Sequence, residues 1–421
     1  MKVLIVGSGG REHALAYAAA RSPRVREVLV APGNAGTAGE PKTRNVAADP
    51  GDPGALLELA RSARVDLVIV GPEAPLVAGL ADRLTAAGIR CFGPPAAAAR
   101  LEGSKAFAKA FMQRHGIPTA RYAKFTELTA ALDYLAGHPL PVVVKADGLA
   151  AGKGVIVASS REEAHDALHE MLAARRFGQA GATVVIEEFL AGTEASFMVI
   201  AAGEQYLELP TSRDYKRALD GDRGPNTGGM GAISPAPALN SRIRDRVRRR
   251  IIEPALAGLA AEGIPYLGFL YAGLMIDSDG EPRVLEFNCR LGDPETQPVV
   301  LRLQSDLIAA IEAALDGVLD AVTLDSDERA AAGVVLAAAG YPGDHPRGMA
   351  IRGLDAIDDP AVKVFHAATR LNERGEVVTT GGRVLCVTAL GQKPAEAREH
   401  AYAAASQIAF DHCHLRRDIG L

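Results

Sequence analysis

The sequence predicts an α/β chain, α+β overall, that opens with a doubly wound parallel-sheet domain. Three observations carry this. The first hundred residues alternate short apolar runs with helical stretches, the βαβα order of a parallel sheet. Each of those runs ends in a glycine- or proline-rich loop, where ligands of such sheets sit. Beyond residue 103 the pattern changes to strands around glycine turns with fewer helices between them. A length of 421 residues accommodates roughly two to four domains.

The elements follow in order. Val3-Leu4-Ile5-Val6 is a short apolar strand, Glu12 to Ala20 a helix and Glu27 to Ala31 a second strand. Leu56 to Ala63 is helical, Asp66 to Val70 a strand, Leu80 to Ala87 helical and Ile89 to Phe92 strand-like. Their loops, Gly7 to Gly10, Pro32 to Thr37, Gly71 to Pro75 and Gly93 to Pro95, are expected to converge on one crevice. Lys105 to His115 reads as a helix; Val142 to Lys145, Val155 to Ser159, Val184 to Glu188 and Phe197 to Ala201 read as strands. Asp214 to Gly231 reads as a long polar loop, and Gly273 to Ile276 and Arg283 to Asn288 as strands. From about residue 325, strands near Ala332 to Ala338, Val362 to Ala367 and Gly382 to Ala389 precede a helix from Pro394 to Ile408.

Composition narrows the function classes. Hydrophobic content of 48%, charged content of 23% and a net charge of −5 suit a soluble protein with sizeable cores, not one built to bind nucleic acid. The densest basic run, Arg242 to Arg250, reads as a solvated helix face. Four scattered cysteines, Cys91, Cys289, Cys386 and Cys413, make neither a CxxC pair nor a zinc spacing, so free thiols in a reducing compartment are expected. The start, MKVLIVGSGG, runs into a glycine turn too early for a signal peptide, and no run reaches the ~20 apolar residues of a membrane span. A cytoplasmic protein is the expectation.

The motifs point to phosphates. Gly7-Ser8-Gly9-Gly10 follows a strand and opens a helix, where backbone amides can hold a phosphate. A dinucleotide fingerprint would need glycine at position 12, which is Glu12, and the second strand ends without an acid for a ribose. Asn34, Gly36 and Thr37, with Pro72 and Glu73 on the neighbouring strand end, can reach sugar hydroxyls or a phosphate, although turn chemistry alone also explains such residues. Gly148 to Gly154 is a glycine-rich hairpin without Walker spacing; it can fold over polyphosphate, with Lys145 before it as a phosphate ligand. Glu187, Glu188, Phe189, Leu190 and Glu194 end a strand that can present backbone groups to a base and a carboxylate to a ribose, or else carry plain edge charges. In the Asp214 to Gly231 loop, Asp214 can bind an amine and Lys216 or Arg217 an anion. No serine, cysteine or histidine has the surroundings of a nucleophile or a triad.

The most informative stretch is EFNCRLGDPETQ, residues 286 to 297. Glu286 and Asn288 alternate on a strand, so both side chains share a face. A carboxylate beside an amide oxygen suits a hard divalent cation that keeps waters and bridges phosphates. If the strand continues, Arg290 adds a permanent cation on the same face.

In sequence order these pieces resemble the ATP-grasp superfamily and, within it, the glycinamide ribonucleotide synthetase family. GSGGREHALA, PGNAGT, GPEAPLVAG, LEGSKAFAK, VVVKADGLAAGKGV, VIEEFLAGTEASF, DGDRGPNTGGMGAISPAP, GFLYAGLMID, LEFNCRLGDPETQ and the terminal RRDIG carry the resemblance over essentially the whole chain. One departure is Tyr215, where the family usually has histidine. The resemblance implies a substrate-binding domain over 1–102, an ATP-grasp domain over 103–324 with a lid at about 120–190, and a mixed α/β domain over 325–421. It implies that glycine's carboxylate takes the γ-phosphate of ATP and that the amine of 5-phosphoribosylamine then displaces phosphate. Mg²⁺ or Mn²⁺ would sit on Glu286 and Asn288. Lys105, Lys145, Gly148, Gly152, Lys153, Gly154, Glu187 to Leu190, Glu194, Lys216 and Asn226 would bind ATP. Gly9, Gly10, Asn34, Gly36, Thr37, Pro72 and Glu73 would hold phosphoribosylamine. Asp214, Arg290 and Asp293 would serve the glycine end, and with Lys145 carry the chemistry. A monomer acting on small molecules, without nucleic acid or membrane, is expected. Rival readings are another ATP-grasp ligase such as a biotin-dependent carboxylase subunit, a regulatory nucleotide binder without catalysis, and a dinucleotide-dependent oxidoreductase.

Overall fold

The first strand, Lys2–Gly7, pairs in parallel with Glu27–Pro32 on one side and Leu67–Val70 on the other. Thr43–Asn45 and Cys91–Phe92 extend this to five parallel strands. Alternate residues feed two cores: Val3, Ile5, Val28, Val30 and Ile69 face one side, and Leu4, Val6, Leu29, Ala31, Val68 and Val70 the other. That two-sided burial is why these strands read as unbroken apolar runs. The computed structural model describes residues 1–150, 154–175 and 178–421, so the expectations placed on Gly152 and Lys153 lie outside the described residues.

Two four-stranded antiparallel sheets follow. The smaller contains Tyr122–Phe125, Val184–Glu188, Val142–Ala146 and Val155–Ala158, in that spatial order. It packs on its own core of Val142, Val144, Leu168, Met171 and Ile186. The larger is ordered Gln205–Glu208, Thr193–Ala202, Leu267–Ile276, Pro282–Asn288. A register shift lies between Gly273 and Leu274, so Gly273 faces Glu286 while Leu274 faces Val284. Such a bulge re-aims side chains locally, here beside Glu286.

The last sheet joins Ala330–Ala338, Arg383–Gly391 and Val362–His366, and it also takes in Arg213–Asp214 and Gly231–Ser234. This corrects the expectation of one long loop from Asp214 to Gly231. The segment contains a hairpin, Arg217–Leu219 against Arg223–Asn226, and its two ends are strands of the C-terminal sheet. Glycine-rich turns hid the short hairpin, and the pairing of Gly231–Ser234 with the alanine-rich strand Ala330–Ala338 spans about a hundred residues. The basic run lies on helix Ser241–Val247 and the turn after it. There Arg244 and Arg248 pair with Glu208, and Arg246 and Arg250 with Glu281, as a solvated face should. Among the described residues no helix is long and apolar enough to cross a membrane.

Candidate active site

A cavity of about 550 Å³ lies where the larger antiparallel sheet, the small sheet, the N-terminal domain and the C-terminal sheet meet. Lys105, Lys145, Gly148, Glu187, Asp214, Lys216, Asn226, Glu73, Glu286, Asn288, Arg290 and Asp293 all line it. These residues lie as far apart as 73 and 293 in sequence, and the fold brings them into one space.

The strand Pro282–Asn288 presents Glu286 and Asn288 to the cavity, while Val284 and Phe287 sit in the core. Burial pushes the Glu286 carboxyl up, but Lys216, Lys145, Lys105 and Arg290 together outweigh it and hold it below the usual range. It is therefore a carboxylate at neutral pH. Lys216 Nζ stands 3.9 Å from it. Among the described residues Glu286 makes no hydrogen bond, and Asn288 Oδ1 has only Arg290 Nη2, at 3.4 Å. Two oxygen donors with little internal commitment fit a hard divalent cation whose remaining ligands are waters and phosphate oxygens. No group of three or more His, Cys, Asp or Glu able to hold a metal by itself occurs among the described residues.

Arg290 is anchored from the N-terminal domain. Its Nη2 lies 2.8 Å from Glu102 Oε1 and its Nε 3.3 Å from Glu73 Oε2. Glu102 is itself fixed, accepting from the Cys289 backbone N–H at 2.8 Å and from its thiol at 3.1 Å. Burial raises the Glu102 carboxyl, with Arg290 opposing, so the pair depends on the arginine staying in place. Lys105 donates to the Gly148 carbonyl at 2.9 Å, which ties the hairpin to the helix Lys105–Arg114. Lys145 Nζ lies 3.0 Å from Glu187 Oε1. Lys216 pairs with Glu194 at 3.2 Å; Glu194 in turn holds the Lys216 ammonium well above its ordinary value.

Asp214 has a buried oxygen, Oδ1, with no hydrogen-bond partner. Burial first, then nearby Glu295, raises its carboxyl well above the usual range. A side chain on Gly229 would strike that oxygen, since a built Cβ lies 2.6 Å from it. Asp293 differs, because both of its carboxylate oxygens are engaged, one from the helix that follows it and one from the C-terminal sheet. Gln297 donates to Oδ1 at 2.9 Å, and Arg383 lies 3.2 Å from Oδ2.

Other expected residues lie outside this cavity's lining. Asn34 and Thr37 are buried and committed to their loop: Asn34 donates to the carbonyls of Ser8 and His366 and accepts from the amides of Gly36 and Thr37. Gly36 packs against His13 and His366, with no room for a Cβ. Gly9 caps the first helix, and its amide donates to Glu12 at 2.6 Å. Glu12 also fills the space beside Gly7 and Gly71, so the side chain that breaks the dinucleotide fingerprint occupies the turn itself. Gly10, at the start of that helix, abuts Gln297. Pro72 caps the short helix that begins at Glu73. Glu188 turns to Arg121 and Arg283 instead of the cavity; Phe189 is exposed and Leu190 buried. Gly154 packs on Ala150 and Ala146.

The sequence reading missed several cavity residues. Glu102 and Lys109 stand in LEGSKAFAK, and Lys109 falls four residues after Lys105 on the same helix face, which was a usable signal. Glu295 stands within RLGDPETQ. Arg383 and Tyr341 come from the C-terminal region and carried no signal, being joined to the site by long-range contacts alone. Arg383 donates to the carbonyls of Gly228 and Asp293, at 2.6 and 2.5 Å, and Tyr341 accepts from the Gly228 amide at 2.9 Å.

Tyr215 points away from the cavity. It is buried between Arg213 and Arg416, whose guanidinium carbons lie 4.8 and 5.4 Å from its ring centre, and its hydroxyl donates to the Leu421 carbonyl at 3.4 Å. Tyr215→His is therefore expected to leave kcat within about threefold, because no contact to the reacting groups is lost. Steady-state rates at saturating substrate test this; a hundredfold loss would place the residue in the chemistry.

Three family models match: phosphoribosylglycinamide synthetase N domain over residues 1–102, ATP-grasp (A) domain over 103–296 and C domain over 331–421. A phosphoribosylamine–glycine ligase of Allochromatium vinosum is 61% identical over 420 residues, covering 100% of this chain and 98% of the relative. The Escherichia coli K12 enzyme of the same name is 58% identical with the same coverage. The crystal structure of the Thermotoga maritima phosphoribosylamine–glycine ligase superposes with a TM-score of 0.87 at 36% identity, covering 100% of both chains. A Campylobacter jejuni biotin carboxylase reaches 0.77 at 16% identity over 100% of this chain and 94% of that one, a likeness of fold. The matches span the chain from end to end and meet the cavity on every wall: this chain belongs to the phosphoribosylglycinamide synthetase family.

Proposed function

We propose that this cavity joins glycine to 5-phosphoribosylamine at the expense of ATP, through a glycyl phosphate, giving glycinamide ribonucleotide, ADP and phosphate in purine biosynthesis. Family membership makes the chain an ATP-dependent ligase; one observation carries the assignment to this cavity. Four cations, Lys105, Lys145, Lys216 and Arg290, converge on Glu286 and Asn288. A carboxylate and a γ-phosphate repel each other, and their approach needs positive charge placed in advance.

The residues divide the work as follows. Lys105, Lys145 and Lys216 neutralise phosphate oxygens, and the backbone of Glu187 to Leu190 receives the adenine. Glu194, paired with Lys216, serves the ribose. Glu286 and Asn288 would hold Mg²⁺ or Mn²⁺, which when bound supplies charge neutralisation between the phosphates. Arg290, pinned between Glu73 and Glu102, orients the glycine carboxylate, and the buried unpartnered oxygen of Asp214 takes the ammonium. Asp293 shapes the loop between them. The Gly9–Gly10 helix start, the Asn34–Thr37 loop, Pro72 and Glu73 hold phosphoribosylamine, with the loop's side chains keeping its amides in place. The hairpin after Lys145 excludes water, which would otherwise hydrolyse the acyl phosphate. No side-chain nucleophile is needed. We further infer a division into domains 1–102, 103–324 and 325–421, and a monomeric cytoplasmic enzyme.

Phosphate release from ATP with glycine and freshly made phosphoribosylamine tests the reading. Strict dependence on both substrates is expected; release driven by bicarbonate instead would sink it.

A further inference from the structure

We propose that Lys109 is a positioning residue for the reaction: it shares the Glu187 carboxylate with Lys145 and so leaves the Lys145 ammonium with charge to offer a phosphate. The inference rests on the reading of Lys145 as a phosphate ligand.

The geometry is a closed ring. Lys109 Nζ lies 2.8 Å from Glu187 Oε2, and Lys145 Nζ lies 3.0 Å from Oε1 of the same carboxylate. Lys109 also donates to Thr119 Oγ1 at 2.7 Å, and Thr119 donates to the Val284 carbonyl at 2.6 Å. Lys145 donates to the next carbonyl, Leu285, at 3.2 Å. The ring thus joins the helix Lys105–Arg114, the small sheet and the strand that carries Glu286. The side chains of Lys109, Glu187 and Lys145 are only 3%, 2% and 9% exposed. Buried charges must be paired, and the pairing here is unequal by design of position: two ammoniums face one carboxylate.

That inequality has a consequence for binding. A buried Lys145–Glu187 pair alone is neutral, and its ammonium would have little attraction left for a phosphate in a low-dielectric site. The second ammonium restores a net charge of +1 and holds the carboxylate from the far side. In this scheme Lys109 acts through Glu187, which with Thr119 receives two of its three protons. Burial pulls its ammonium down to about 8, against the attraction of Glu187 and Glu188 and with the repulsion of Lys145. Affinity for ATP should therefore weaken as pH rises through that value.

The full-length chain tests this with steady-state kinetics. Lys109→Met is expected to raise KM for ATP at least tenfold at pH 7, with KM for glycine and phosphoribosylamine within twofold. The variant should also lack the rise in ATP KM between pH 7 and 9 that is expected of the unaltered chain. The double variant Lys109→Met with Glu187→Gln removes the uncompensated carboxylate and should recover ATP KM to within about threefold, a non-additivity expected of groups in one network. An unchanged ATP KM in folded Lys109→Met overturns the proposal. If that variant fails to fold, a double variant with ATP KM still tenfold high overturns it. Lys145→Met separates the layers: if it leaves ATP KM unchanged the phosphate reading itself fails, whereas a large effect there with none at Lys109 defeats only this inference.

Discussion

Glu286→Gln is expected to lower turnover by about a thousandfold or more, roughly 4 kcal/mol of barrier, while the protein stays folded. The substitution keeps the shape of the side chain and removes its charge. In the structure that charge is held below the ordinary carboxylate range by Lys216, Lys145, Lys105 and Arg290, against its burial. It is thus a carboxylate ringed by four cations, and the acidic donor expected for a metal beside Asn288. Stability should change by no more than about 1 kcal/mol, because the carboxylate makes no hydrogen bond among the described residues and lies 3.9 Å from its nearest cation. The sign of the pH effect follows. A depressed carboxyl contributes stability above its unfolded value and loses it as pH falls through the lower folded value, so the variant should be the less acid-sensitive of the two. Single-turnover assays across Mg²⁺ concentration, with unfolding curves at pH 4 and 7, check this. A variant retaining a tenth of normal turnover would remove Glu286 from the metal site.

Arg290→Met should cost both activity and stability. The guanidinium bridges the buried Glu102, at 2.8 Å, and the half-buried Glu73, at 3.3 Å. Removing it strands Glu102, whose carboxyl burial already pushes up. Breaking one partner of a buried pair typically costs about 3–5 kcal/mol, so the urea midpoint should fall clearly. Arg290→Lys should regain part of the stability but not the turnover, since an ammonium cannot span two carboxylates and also present a planar fork to a substrate carboxylate. Equal urea midpoints for Arg290→Met and the unaltered chain would show that the bridge is not what holds the N-terminal domain to the strand that carries Glu286.

Sequence and structure divide at identifiable residues. Glu286 and Asn288 were readable because alternation along a strand is a local property; Arg290 was expected on that face only if the strand continued, and the strand ends at Asn288, although Arg290 still lines the cavity. Lys145 was readable from the glycine hairpin behind it. Asp293 invited a catalytic role from its motif, yet its two oxygens meet Gln297 and Arg383. Asn34 and Thr37 belonged to a ligand-like loop, and their side chains are spent on holding its shape. In each case the residue type was informative, but the direction of the side chain depended on a partner elsewhere in the chain.

The sequence by itself determined the parallel N-terminal sheet, its glycine loops, the shared face of Glu286 and Asn288, and the family. All of these are written in short periodic stretches whose physics is local. Only the tertiary structure decided that Gly231–Ser234 is a strand of the C-terminal sheet and that Arg383 reaches back to Asp293. It also decided that Glu102 grips Arg290 and that Lys109 shares Glu187 with Lys145. These are pairings of opposite charges and of strand edges over long sequence separations. Their energy comes from burial together, and no single segment carries a sign of its partner.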